Sequence, residues 1–107
     1  MAKISTDLQQ SKMLAEILPI ESADMYYDLW DENDINVMDE HFNPRLDCRA
    51  WSLTALLGVL PNYQLQTQDD GIGILCSYNG NFIIITANNP VDACVEAVLK
   101  LHEQNLI

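Results

Sequence analysis

Two glycine-bearing dipeptides, Asp70-Gly71 and Asn79-Gly80, constrain how the second half of this chain can fold. Both are two-residue turn signals that tolerate positive φ and match the twist of paired strands. Set at the tips of two hairpins, they predict a three-stranded meander with strands near 63–69, 72–78 and 81–86. The first turn pairs Thr67 with Ile74, Leu65 with Cys76 and Tyr63 with Tyr78. The second pairs Cys76 with Ile83 and Ile74 with Ile85. Both registers place Tyr63, Leu65, Ile74, Cys76, Ile83 and Ile85 on one face, and a slip of one residue in either turn would scatter that set.

The other face is mixed. Gln64, Gln66 and Gln68 are polar, whereas Leu75, Phe82 and Ile84 are not. A sheet wetted on one side should be polar throughout that side. The third-strand half is therefore expected to be covered, by the N-terminal part of the chain, a second subunit or a partner, with the first favoured.

Helix signals flank the meander. Asn89 can cap, Pro90 suits the first helical position and Asp92 complements the helix dipole. Val91, Cys94, Val95, Val98 and Leu101 then form a stripe at helical spacing, with Glu96 and Lys100 paired on the wet side. Upstream, Ser52 caps a short helix ending near Leu60-Pro61, with Trp51 and Leu56 spaced as a hydrophobic staple. A first helix is expected from about Thr6 to Leu18, opened by a Thr6/Gln9 capping box and stopped by Pro19. Ser22 to Trp30 is a weaker helical stretch, and Asp31 to Asp47 reads as loop with a strand around Ile35–Met38. The expected fold is α+β, in α-α-β-β-β-α order: a three-stranded antiparallel meander, a C-terminal helix on one face, and N-terminal helices. It forms one domain over 1–107, with an N-terminal helix (1–20), an acidic segment (21–47) and a helix-meander-helix core (48–107).

Charge excludes more functions than it names. Asp plus Glu number 16 against 5 Lys plus Arg, a net charge of −11. Eight of those carboxylates fall between Glu21 and Glu40, where no lysine or arginine occurs. Such a surface repels phosphates and anionic lipid and attracts basic proteins. Helix, three strands, helix over 52–104 is also the element order of double-stranded RNA-binding domains. The start of the last helix carries no base here, so RNA binding is disfavoured. No secretory leader or membrane span is legible, and an odd set of cysteines (Cys48, Cys76, Cys94) fits a reducing compartment. The expected location is cytoplasmic.

The chemical motifs fail one by one. A calcium loop starting at Asp31 would place Ile35 at a ligand position, Asn36 where glycine is needed and Phe42 where a bidentate glutamate belongs. His41 and Cys48 are too far apart for a short-spaced zinc pair, and Cys76 with Cys94 supply only two thiols. A Cys48–His41 or Cys48–His102 pair has no supporting motif. Asp24 and Asp28, among Met25, Tyr26, Tyr27, Leu29 and Trp30, are the least implausible acid–base carboxylates. Gly71-Ile72-Gly73 is not a dinucleotide fingerprint. The chain is read as a non-enzyme without cofactor.

One pattern leans toward recognition. Met25, Tyr26, Tyr27, Trp30 and Phe42 lie among Asp24, Asp28, Asp31, Glu32 and Asp34, and apolar anchors in a charged rim are what binding surfaces use. The bland alternative is that these aromatics tack the acidic segment onto the meander.

Three strings occur in order: Leu18-Pro19-Ile20-Glu21-Ser22-Ala23-Asp24-Met25, Ala50-Trp51-Ser52-Leu53-Thr54-Ala55-Leu56-Leu57, and Asn89-Pro90-Val91-Asp92-Ala93-Cys94-Val95-Glu96. As an ordered set they resemble a group of small proteins encoded by phages and other mobile elements of gut bacteria, a group with no assigned activity. The resemblance implies a cytoplasmic accessory gene product and carries over no functional residue. The expected function is therefore a protein-interaction module contacting its partner through 21–42. The rivals are an acidic nucleic-acid mimic and, less favoured, a small enzyme or metal-binding domain. A homodimer through the Phe82/Ile84 strand edge is also open.

Overall fold

A computed structural model of the chain describes residues 4–28, 31–60, 62–68, 71–78 and 81–104, with the backbone alone described for 31–34, 62, 67, 68, 77, 78, 81 and 82. Three α-helices and two three-stranded antiparallel sheets follow in the order α1 (Leu8–Ala15), β1 (Met25–Asp28), β2 (Asp31–Val37), β3 (Cys48–Ala50), α2 (Leu53–Val59), β4 (Asn62–Gln68), β5 (Gly71–Tyr78), β6 (Asn81–Ala87) and α3 (Pro90–Glu103). The α+β class and the α2-β4-β5-β6-α3 core match the expectation. A single meander does not, because the acidic segment builds a sheet of its own.

The meander's second hairpin has the predicted register, with Cys76 opposite Ile83 and Ile74 opposite Ile85. Its first hairpin differs by two residues: Leu65 faces Ile74, Tyr63 faces Cys76 and Thr67 faces Ile72. Gly71 is thus the first residue of β5, paired with Gln68, and not a turn residue. Asp70, Asn79 and Gly80 lie outside the described residues. Because strand side chains alternate with period two, a two-residue shift leaves every residue on its predicted face. Gly71 keeps a φ of +144°, and a Cβ there would run into the carbonyl oxygen of Ala87. Only glycine fits where β5 passes that backbone so closely.

Helix α3 packs on β5 and β6. Ile74, Cys76 and Ile83 are buried beneath it, while Tyr63 (45% exposed) and Leu65 (36%) lie on β4 beyond its cover. Asn89 accepts from the Asp92 N–H at 2.9 Å and Pro90 opens the helix, as the sequence predicts. The stripe Val91, Cys94, Val95, Val98 and Leu101 is fully or almost fully buried. Ala93 and Ala97 are buried as well, because α1 and α2 pack on other sides of this helix. Ser52 caps α2 through the Ala55 N–H, and Trp51 and Leu56 share the core.

The N-terminal part departs from expectation in three ways. The capping box is Asp7 with Gln10, and α1 is shorter than predicted, running Leu8–Ala15. Thr6 is instead fully buried; its hydroxyl bonds Ser11 Oγ at 2.7 Å and accepts the Trp51 N–H at 3.1 Å. Burial of a hydroxyl needs partners on several sides, so a solvent-facing cap role passes to the more strongly hydrated Asp7. The Ser22–Trp30 helix is replaced by a 3-10 turn at Ile20–Ser22 and strand β1, with Trp30 outside the described residues. Nor does the N-terminal part cover the back of the meander: Ile84 is 71% exposed, and α1 packs on β3.

Candidate functional site

The acidic segment is a sheet ordered β2-β1-β3, so among the described residues β2 is an edge strand. Met25 pairs with Val37, Tyr26 with Asn36 and Tyr27 with Ile35. On the other side β1 pairs with β3, placing Tyr26 opposite Arg49 and Tyr27 opposite Cys48. Aspartate and asparagine are poor strand formers, and β1 and β3 are short, which is why this sheet is weakly written in the sequence. The Asp24 carbonyl extends the β1–β2 ladder by accepting the Met38 N–H at 2.9 Å, and the Tyr27 hydroxyl ties β1 to the N-terminal segment by donating to the Thr6 carbonyl at 2.7 Å.

The expected contact residues therefore take different positions. Tyr26 is 5% exposed and stacks obliquely on half-buried Phe42, ring centres 5.4 Å apart. Its hydroxyl reaches Asp39 at 3.4 Å. Burial, then the Asp39 carboxylate, raise the Tyr26 pKa. Asp39 is held below the usual carboxylate range mainly by the His41 backbone N–H, 2.8 Å away. Tyr27 and Met25 are half-buried. Asp24 accepts both the Ser52 N–H (2.8 Å) and the Ser52 hydroxyl (2.5 Å), so its two oxygens serve the start of α2. Asp28 pairs with Asp31 across the β1–β2 hairpin. Asp31, Glu32 and Asp34 lie on β2, with side chains outside the description. An exposed residue that the sequence reading did not single out is Val37, 70% accessible and directly opposite Met25.

A pocket of about 480 Å³ opens between α1 and the loop before β3, lined among others by Lys12, Glu16, Phe42, Leu46, Cys48 and Arg49. Arg49 donates through Nη2 to the Ala15 carbonyl at 2.5 Å, where the end of α1 favours a cation. Its Nε is buried without a hydrogen-bond partner among the described residues. Of Asp24, Asp28, His41 and Cys48, only Cys48 lines this pocket, so the carboxylates considered for acid–base work do not meet there. Among the described residues no three of His, Cys, Asp and Glu gather as a metal site. Cys76 and Cys94 are core residues, and burial together with neighbouring Cys76 pushes the Cys94 thiol up to about 12. Among the described residues no helix is long and apolar enough to cross a membrane.

No family model, curated protein or solved structure matches this chain.

Proposed function

We propose that this protein is a non-enzymatic interaction module whose acidic sheet receives a basic, partly apolar extended segment of another protein. The observation that carries this reading is exposed Val37 on the acidic edge strand β2, backed by half-buried Met25 opposite it on the central strand β1. An edge strand offers unpaired backbone groups to an added strand, which supplies affinity, while alternate side chains supply selectivity. In the same segment Glu21 and Glu40 are exposed, and Asp31, Glu32 and Asp34 lie along β2. Complementary charge would speed encounter with a cationic segment and repel nucleic acid and anionic lipid. Tyr26 and Tyr27 then act from behind, holding β1 in place, rather than touching the partner. The cytoplasmic setting and the origin in a phage or mobile element belong to the same proposal and rest on the resemblance of the three sequence strings.

The test is an NMR titration of labelled protein with a synthetic peptide alternating lysine and valine, and with its glutamate counterpart. The lysine peptide should shift residues 25–28 and 31–38, the glutamate peptide none. Val37→Asp should weaken binding about tenfold, equivalent to about 1.4 kcal/mol. Affinity that collapses between low and moderate salt and ignores Val37→Asp would favour the nucleic-acid mimic instead.

A further inference from the structure

In a chain with net charge −11, strands β4, β5 and β6 contain no charged residue. β4 stands out among them. Tyr63, Gln64, Leu65 and Gln66 are all exposed, so both faces of this strand meet solvent, and β4 also forms one edge of its sheet. Proteins usually guard such an edge with lysine, proline, a bulge or a covering element. β4 carries neither lysine nor proline, its ladder to β5 is unbroken, and α3 lies over the other two strands. β6, the opposite edge, has α3 packed on it.

We propose that β4 pairs antiparallel, edge to edge, with β4 of a second copy, on a two-fold axis passing through Leu65. The sequence of the strand favours its own copy. Asn62-Tyr63-Gln64-Leu65-Gln66-Thr67-Gln68 reads the same in polarity from either end, with amides at 62, 64, 66 and 68 and less polar residues between. Turned about Leu65, it places Leu65 opposite Leu65, Gln64 opposite Gln66 and Tyr63 opposite Thr67. A glutamine amide both donates and accepts, so each Gln64–Gln66 pair is self-complementary. Two molecules of this charge can approach without opposing carboxylates only along an uncharged surface, and β4 provides one. The product is a six-stranded sheet with a closed, isologous interface. The uncovered Tyr63 and Leu65 of both copies form a row between the two α3 helices. This inference is independent of the acidic-sheet reading, since it uses neither β1 nor β2.

Sedimentation of the full chain at concentrations up to about 1 mM should show a concentration-dependent dimer. Leu65→Lys should return it to monomer with an unchanged circular dichroism spectrum, because Leu65 is exposed in the single chain. In a Cys48→Ser background, Leu65→Cys should oxidise to a crosslinked dimer, since directly opposed strand residues have Cα atoms about 4.5–5.5 Å apart, within disulfide reach. Gln68→Cys, about 20 Å from its counterpart in that register, should not. A chain that stays monomeric throughout overturns the proposal. So does a dimer that survives Leu65→Lys and is abolished by Ile84→Lys, which would move the interface to β6 or the back face.

Discussion

Asp24 accepts two hydrogen bonds from Ser52, one from the backbone N–H at 2.8 Å and one from the hydroxyl at 2.5 Å. Ser52 in turn accepts the Ala55 N–H, so the residue that leads into β1 orients the cap of α2. The two halves of the chain are joined at this point. Asp24→Ala should therefore cost about 2–3 kcal/mol, since it removes a charged acceptor and leaves a partly buried N–H unpaired. Asp24→Asn should cost less, because one amide oxygen can still accept. Urea unfolding measures both, and equal stability of Asp24→Ala and wild type would show that Ser52 finds water instead.

The two glycines at Gly58 and Gly71 should respond to alanine with opposite sign. Gly71 has positive φ and faces the Ala87 carbonyl, so Gly71→Ala forces either the start of β5 or the end of β6 to move. A loss of at least about 1–3 kcal/mol is expected. Gly58 is an exposed position of α2, and a Cβ added there meets nothing within 4 Å. Gly58→Ala should stabilise by about 0.5–1 kcal/mol, through helix propensity and a less flexible unfolded chain. Thermal unfolding of the pair reads the sign directly.

These contrasts show which parts of the fold were legible. The meander was, because a face repeats with period two and survives even a two-residue error in the first hairpin. Helices α2 and α3 were, because Ser52, Asn89 and Pro90 act locally. The β2-β1-β3 sheet was not. Its strands are short or rich in Asp and Asn, residues that disfavour strands, and its pairing joins Met25 to Ala50 across an intervening strand. Thr6 and Asp7 are both acceptable caps by sequence, and only the burial of Thr6 against Trp51 separates them. Recognition residues were read from composition, which cannot tell Tyr26, turned inward onto Phe42, from Val37, turned outward.

Stability should fall as pH rises above about 9. Burial raises the pKa of Cys76, and that of Cys94 to about 12, from an ordinary value of 9.0. Below pH 9 both thiols are neutral, folded or unfolded, and the full stability is present. Between pH 9 and about 12 the unfolded chain loses protons that the folded chain keeps, so the unfolded state gains. Cys94 contributes a slope of up to about 1.4 kcal/mol per pH unit in that window, and Cys76 acts in the same direction. Burial and the Asp39 charge shift Tyr26 in the same direction. The same burial should make Cys48, half-buried beside the pocket, the first cysteine to react with an aromatic disulfide reagent, with Cys76 and Cys94 reacting at the unfolding rate. Cys94→Ala should then lessen the alkaline slope.

Arg49 links the C-terminal end of α1 to β3 through the Ala15 carbonyl, while its Nε has no partner among the described residues. Arg49→Ala removes the link and opens the pocket, for an expected loss of about 1–3 kcal/mol. Arg49→Lys should recover part of that loss: an ammonium can still meet the helix end, and it has no Nε to leave unsatisfied. If Arg49→Lys is as unstable as Arg49→Ala, the planar geometry of the guanidinium, rather than its charge, holds α1 to the sheet. Hydrogen exchange at Leu14 and Ala15 distinguishes these outcomes, because a released helix end exchanges faster while the meander does not.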